Sequence, residues 1–285
     1  MQEGLETKVM VKKKVVTTAM TSEVPSTHPP NYKVDEGVHL IPINGLARLQ
    51  GPWKRYTVIG AGKTGLDALL HLIDQGVAPE NLRWLVSNDC WFMNRTAGMK
   101  MWGAEAVKAV LDAKNVEELY LGYEKEEIFF RVDPEQEATK MRAATISPEE
   151  LEKIRTVKDI VRKGRVERIT KSKIIFLNSE ELETDENSLY VDCSAGGTSC
   201  TPLQPIFQPG RIILQMVCQP PAQSACIIAA LELASSHDDW KNQVVKPWSS
   251  PQDLEDWFRF FAISMRNAKK VCKSVLPPKV LINSI

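Results

Sequence analysis

The sequence predicts an α/β fold built on a parallel sheet, and three neighbouring segments carry this prediction. Residues 55–60, RYTVIG, form a short apolar run that is typical of a buried strand. Residues 66–75, LDALLHLIDQ, place four apolar side chains on one helical face at the spacing i, i+3, i+4 and i+7. Residues 82–86, LRWLV, form a second buried strand. The alternation of strand, helix and strand favours parallel pairing.

The composition excludes several functional classes. The 285 residues carry 36 Lys and Arg against 36 Asp and Glu, so the formal net charge is zero and no nucleic-acid partner is expected. The longest apolar run, residues 225–231, is too short for the roughly 20 residues of a bilayer-spanning helix, so no membrane partner is expected. The six cysteines form no C-x-x-C pair, and the four histidines show no metal-ligand spacing. We therefore expect a cytoplasmic protein with reduced thiols and no metal site.

The other elements are predicted from local patterns. Residues 98–165 are expected to be mostly helical, with one helix beginning after Ser147, where Pro148 and Glu150 complete a capping box. The remaining predicted elements are short strands within 5–18, a proline-rich linker over 21–52, two antiparallel strands over 165–177, strands at 189–195 and 212–217, a helix over 224–234 and a helical tail.

A glycine motif joins the first strand to the first helix. Residues 60–65 read Gly60, Ala61, Gly62, Lys63, Thr64 and Gly65, which matches G-x-G-x-x-G. The first glycine permits a tight turn, the second admits a pyrophosphate and the third allows close packing of helix on strand. The pyrophosphate would then lie at the helix N-terminus, so we predict a dinucleotide-binding, Rossmann-like domain. A P-loop is disfavoured, because its first glycine would fall at Thr57.

The end of the second strand bears on the choice between NADP and NAD. Ser87 and Asn88 are neutral hydrogen-bonding residues, and Arg95 lies close enough in sequence to reach a 2′-phosphate. We predict that these three residues bind NADP, whereas Asp89 argues for NAD because an acidic residue there can hold the ribose 2′-hydroxyl. The alternative for Arg95 is a surface salt bridge. The sequence shows no catalytic side-chain constellation, and Cys193 is expected to be a buried strand residue, so a cofactor would carry any chemistry.

The order of these segments resembles the flavoproteins with two dinucleotide-binding domains, which include the flavin-containing monooxygenases. In that superfamily an FAD domain is interrupted by an NAD(P)H domain, and the chain crosses between them twice. Five segments match the successive parts of that arrangement. In chain order they are KKKVVTTAMTSEVPSTHPP, YTVIGAGKTG, RVERITKSKIIFL, LYVDCSA and IILQMVCQPPAQSACIIAALELA. The resemblance implies a partial FAD domain with a crossover over 1–53, an NAD(P)-binding domain with a helical insertion over 54–196, and the C-terminal part of the FAD domain over 197–285.

The resemblance also implies a reaction and the loss of part of the flavin site that it requires. It implies hydride transfer from NADPH to flavin, and it places Gln219 and Ser224 near the flavin. No G-x-G-x-x-G precedes residue 60, so the first half of the FAD domain is expected to be missing and FAD binding by this chain alone is doubtful. The alternatives are a non-catalytic dinucleotide-binding or partner-binding module and a fragment of a longer flavoenzyme. A partner chain or a second copy could cover the missing half, and the small-molecule substrate is not indicated.

Overall fold

The computed structural model describes residues 8–18, 28–49, 51–98, 100, 103–195, 202–218, 221–249, 251 and 253–275. The chain divides into two compact units. Unit 1 comprises Met1–Ser22, Thr198–Pro251 and Asp256–Ile285, and unit 2 comprises Glu23–Gly197 and Gln252–Glu255. Nearly all of unit 2 is thus inserted, in chain order, between two segments of unit 1.

The structure is a mixed α/β fold. The strands are β1 (Val15–Thr18), β2 (Lys33–Val34), β3 (His39–Pro42), β4 (Arg55–Ile59), β5 (Leu82–Leu85), β6 (Cys90–Asn94), β7 (Phe129–Phe130), β8 (Lys140–Ile146), β9 (Asp159–Val161), β10 (Val166–Ile169), β11 (Lys173–Phe176), β12 (Glu181–Glu183), β13 (Ser188–Asp192), β14 (Phe207–Gln208) and β15 (Arg211–Leu214). The α-helices are α1 (Lys63–Asp74), α2 (Ala104–Asp112), α3 (Val116–Lys125), α4 (Pro148–Arg155), α5 (Pro221–Ala234), α6 (Asp238–Val244) and α7 (Leu254–Val275).

The principal sheet of unit 2 is entirely parallel, as the sequence predicts. Its five strands lie in the order β3-β13-β4-β5-β9. All five residues of β13 are buried and four of the five in β4, which is typical of a parallel sheet covered on both faces. Helix α1 packs its buried face, including Leu66, Leu69 and Leu72, into the same hydrophobic core as β4 and β5.

The strand order reverses at β4. Strands β5 and β9 extend the sheet on one side of β4, and β13 and β3 extend it on the other. In open α/β sheets this topological switch point is where ligands bind.

Two smaller sheets complete unit 2. The order β12-β11-β10-β2 contains the antiparallel pair β10–β11, which confirms the prediction for residues 165–177. The order β7-β6-β8 includes β7 and β8, which lie within residues 98–165, where the sequence predicts mostly helix. That prediction is wrong for these strands, because the seven-residue β8 pairs with β6 although it includes good helix formers. Residues 28–49, which the sequence assigns to the crossover, contribute β2 and β3 to unit 2.

Unit 1 is built on the sheet β1-β15-β14, in which β1 and β15 are parallel. Lys241 of α6 is completely buried in this unit, and its ammonium group forms ion pairs with Glu232 and Asp238. The same group lies 4.7 Å from the centroid of the Phe207 ring. Lys14, which precedes β1, binds the same two carboxylates at 3.3 and 2.6 Å. This network fixes the beginning of β1 to α5 and α6. No helix among the described residues is long and apolar enough to cross a membrane.

Candidate functional site

The glycine loop lies at the switch point, between the ends of β4 and β13. Gly60 has φ of +126°, and a Cβ atom there would lie 2.7 Å from the carbonyl oxygen of Cys193. The amide of Cys193 in turn donates to the carbonyl of Ile59 at 2.8 Å. Gly60 is therefore required both by its backbone conformation and by the close approach of the segment after β13.

Gly65 is required by the packing of α1 on the loop. A Cβ atom on Gly65 would lie 2.1 Å from the carbonyl oxygen of Gly60. That oxygen accepts a hydrogen bond of 2.8 Å from the indole Nε1 of Trp84 on β5. Helix, loop and neighbouring strand are thus fixed against one another through a single carbonyl group, as the sequence predicts for the third glycine of the motif.

Gly62 differs from both because neither a positive φ nor a close contact requires glycine there. A Cβ atom on Gly62 would meet no heavy atom within 4 Å. Its φ of −86° and ψ of −175° are accessible to any residue. Gly62 is the N-cap of α1, and no side chain caps this helix end. The open space at Gly62 thus lies at the first turn of α1, and the exposed amides of a helix N-terminus can bind an anion.

The side chains of the loop are accessible. Ala61, Lys63 and Thr64 are half-buried, and the ammonium group of Lys63 forms an ion pair with Asp67 one turn along α1. The charge of Lys63 is a minor one of the causes that act on the pKa of Glu150 on α4.

Arg95 is held by that same glutamate. The Arg95 guanidinium lies 2.9 Å from a carboxylate oxygen of Glu150 and 3.4 Å from the hydroxyl of Thr145. Burial raises the pKa of Glu150, but the bonds from the Ser147 amide and Arg95 outweigh it and the pKa is lowered. The capping box at Ser147 is confirmed. Arg95 thus makes the salt bridge weighed as its alternative role, and its side chain remains 46% exposed.

The end of β5 presents two exposed residues followed by a half-buried ion pair. Ser87 and Asn88 are exposed, whereas the next residue, Asp89, accepts two hydrogen bonds from Arg162, at 2.8 Å from Nε and 3.1 Å from a terminal nitrogen. Arg162 also contacts Asp133 at 3.1 Å. The hydrogen bond to Asp89 is the main reason that the pKa of Arg162 is raised. Arg162 escaped the sequence analysis because it follows β9, a three-residue strand within the region predicted to be helical.

A second missed group lies where β13 ends. Asp192 is buried, and one of its oxygens accepts from the Tyr32 hydroxyl at 3.0 Å and from the Ser194 hydroxyl and amide at 2.6 and 3.1 Å. Burial, followed by the charge of Asp192, raises the pKa of Tyr32. Burial also raises the pKa of the Cys193 thiol, which fits its predicted role as a buried strand residue. These bonds fix the segment that contacts Gly60.

The two residues expected near a flavin belong to unit 1. The Ser224 hydroxyl is buried, accepts from the amides of Val217 and Cys218 and donates to the Cys218 carbonyl at 2.7 Å. A hydroxyl has one donor and two acceptor positions, so all of them are used within the protein. Gln219 lies outside the described residues. Contact of either residue with a flavin remains a prediction.

Comparisons with known proteins give a family likeness without a function. The chain is 33% identical over 280 residues to two uncharacterized proteins, one of Mycobacterium tuberculosis and one of Mycobacterium bovis. These matches cover 94% of this chain and 51% of each relative, so the chain spans about half the length of the curated relatives it matches. No protein-family model matches the chain.

A solved structure with some likeness is that of L-lysine 6-monooxygenase from Pseudomonas syringae. It shares 11% sequence identity, with 91% of this chain and 64% of that chain covered and a TM-score of 0.32. At this score the likeness supports no inference about the present chain.

Proposed function

We propose that unit 2 binds NADP, with NAD as the weaker ligand, and that the glycine loop holds its pyrophosphate. The observation that carries the proposal is the open space at Gly62. Contacts within the fold account for the other two glycines of the motif, whereas the space at Gly62 is open to a ligand. Its position at the switch point of a parallel sheet, beside the N-terminus of α1, supports the same conclusion.

The surrounding residues fit such a cofactor. The backbone from Ala61 to Thr64 would hold the pyrophosphate, and Ser87 and Asn88 at the exposed end of β5 would contact the adenosine ribose. Arg95 would approach the 2′-phosphate by exchanging its bond to Glu150. When bound, the nicotinamide supplies a hydride for transfer to an acceptor.

The acceptor in this proposal is a flavin, which makes the chain part of an oxidoreductase of the monooxygenase-like type. The interruption of unit 1 by unit 2 in chain order supports this, because it parallels the domain order of the flavoproteins that the sequence resembles. The described residues of unit 1 do not themselves fit a flavin, since the Ser224 hydroxyl is fully used and no glycine motif precedes Gly60. We therefore derive no step through FAD, and the contacts that would hold it lie outside the described residues of unit 1.

The decisive experiment replaces Gly62 with valine. Isothermal titration of the 285-residue chain with NADPH is expected to show binding that Gly62→Val abolishes, because the side chain occupies the space of the pyrophosphate. The matched control is Gly103→Val. Gly103 is the N-cap of α2 with φ of −85° and ψ of −176°, almost the backbone conformation of Gly62.

The two variants separate the proposal from a general effect on helix capping. Gly103→Val should bind NADPH as wild type does. Unchanged NADPH binding by Gly62→Val would refute the assignment of the loop. Flavin released by denaturation and detected by its fluorescence would support the oxidoreductase, and NADPH binding by a protein that carries no flavin would favour the non-catalytic dinucleotide-binding module.

A further inference from the structure

Arg162 occupies a distinctive position beside the proposed adenosine site. The pair Leu85 and Val161 is in register between β5 and β9, and the amide of Val86 donates to the carbonyl of Val161 at 2.9 Å. Arg162 is the next residue along β9, so it lies across from the segment that leads into Ser87. Its side chain is 25% exposed, and its guanidinium is held between two carboxylates that come from different loops, Asp89 and Asp133.

The two carboxylates hold Arg162 unequally. Asp89 accepts two hydrogen bonds, one on each oxygen, in the planar bidentate geometry that guanidinium favours. Asp133 accepts a single bond of 3.1 Å, and its side chain is 31% exposed against 17% for Asp89. The bond to Asp133 is therefore the one that an incoming anion can replace at lower cost.

We propose that Arg162 selects the adenosine 2′-substituent, binding the phosphate of NADP in place of Asp133 while its bidentate pair with Asp89 positions the guanidinium. The inference rests on the proposed dinucleotide site and assigns its specificity to a residue outside the glycine motif. It also explains Asp89, the acidic residue that argues for NAD. Both oxygens of Asp89 are engaged by Arg162, so the carboxylate serves as a support for the arginine rather than as an acceptor for the ribose hydroxyl.

The test measures the affinities for NADPH and NADH by isothermal titration. Arg162→Leu is expected to lower the affinity for NADPH by about ten- to a hundredfold, the value of a charge-assisted contact, while the affinity for NADH stays the same or rises as Asp89 becomes free. Arg162→Lys should retain part of the preference because it keeps the charge without the planar fork. Asp133→Asn should raise the affinity for NADPH by up to about fivefold, because it removes a carboxylate that competes with the phosphate for Arg162. That competition has the strength of an exposed ion pair.

The matched control is Arg83→Leu. Arg83 also joins β5 to β9, through a bond of 2.8 Å to Asp159, but it lies at the amino ends of the strands, away from the glycine loop. Asp159 retains Arg55 as a partner at 2.7 Å in this variant. The ratio of NADPH to NADH affinity should be unchanged by Arg83→Leu.

The outcomes separate this inference from the proposed function. If the wild-type chain binds neither nucleotide, the dinucleotide site itself is wrong. If it prefers NADPH and Arg162→Leu leaves the ratio unchanged, the role of Arg162 is wrong. Should Arg162→Leu fail to fold, as judged by circular dichroism, unchanged ratios in Arg162→Lys and Asp133→Asn overturn the inference.

Discussion

Replacing Gly65 with alanine tests whether the contact between α1 and the glycine loop is as close as the structure indicates. The added Cβ would lie 2.1 Å from the carbonyl oxygen of Gly60, whereas Cβ atoms in proteins essentially never approach within 3.0 Å of another heavy atom. The neighbour is backbone, so it cannot rotate away. Helix and loop would have to separate by roughly 1 Å, an overpacking strain that costs about 1–3 kcal/mol.

Two smaller effects accompany this strain and act in opposite directions. Alanine in the helix is favoured over glycine by about 0.5–1 kcal/mol. Movement of the Gly60 carbonyl weakens its bond of 2.8 Å from Trp84, which is worth about 0.5–1.5 kcal/mol. These terms offset each other, so the expected destabilisation remains about 1–3 kcal/mol, or about 2–12 °C in melting temperature for a unit of this size.

Gly122→Ala is the matched control, because Gly122 also lies within a helix, α3. There the new Cβ would lie 3.2 Å from the Cβ of Ala109, a side-chain contact that a few tenths of an ångström relieve. Circular dichroism melts of both variants are expected to show a fall for Gly65→Ala and a change within about 1 kcal/mol of wild type for Gly122→Ala. Equal melting temperatures for the two variants would refute the close contact, and with it the rigidity we attribute to the loop.

Two further predictions concern charge and reactivity. Lys241→Met should destabilise unit 1 by about 1–3 kcal/mol through loss of its bonds to Glu232 and Asp238. The pKa of Asp238 is lowered from 3.8, chiefly by Lys14 and then by Lys241, so its stabilisation is present above pH 3.8 and lost as the pH falls through the lowered value. Melts from pH 2 to 6 should therefore show an acid loss that is smaller in Lys241→Met and complete at a higher pH, and superimposable profiles would contradict this. Iodoacetamide at pH 8, which is about the pKa of an ordinary thiol, should label the exposed Cys226. It should spare Cys193, which is buried and whose pKa is raised. Equal labelling of the two cysteines in mass spectrometry would contradict the burial of Cys193.

The parts of the fold that the sequence predicts are those in which local signals and tertiary structure agree. The helix after Gly62 has its apolar face buried, and the capping box at Ser147 is formed. Each signal depends on the backbone or on neighbours within a few residues. Such features can be recognised without knowledge of what packs against them.

The features that escaped prediction depend on distant partners. Strand β8 has a helix-like composition, yet it pairs with β6 through a register irregularity, and Ala143 within it has φ of +52°. Strand β9 is only three residues long, so it gave no periodic signal, and Arg162 at its end could not be placed beside Asp89. Tyr32 lies 160 positions from Asp192, which it contacts. Sequence patterns over short windows carry no information about such pairings.

The pairing of β1 with β15 has a consequence for how the chain folds. Val15 pairs with Arg211, so the two strands are separated by almost the whole of unit 2 in sequence. Closing an unstructured loop of that length carries an entropic cost that grows by about 0.6 kcal/mol with each doubling, and contacts of high sequence separation form slowly. Prior folding of unit 2 replaces most of that loop with a compact body. During synthesis from the N-terminus, unit 2 emerges before β15, so β1 has to wait for its partner until the intervening unit has left the ribosome.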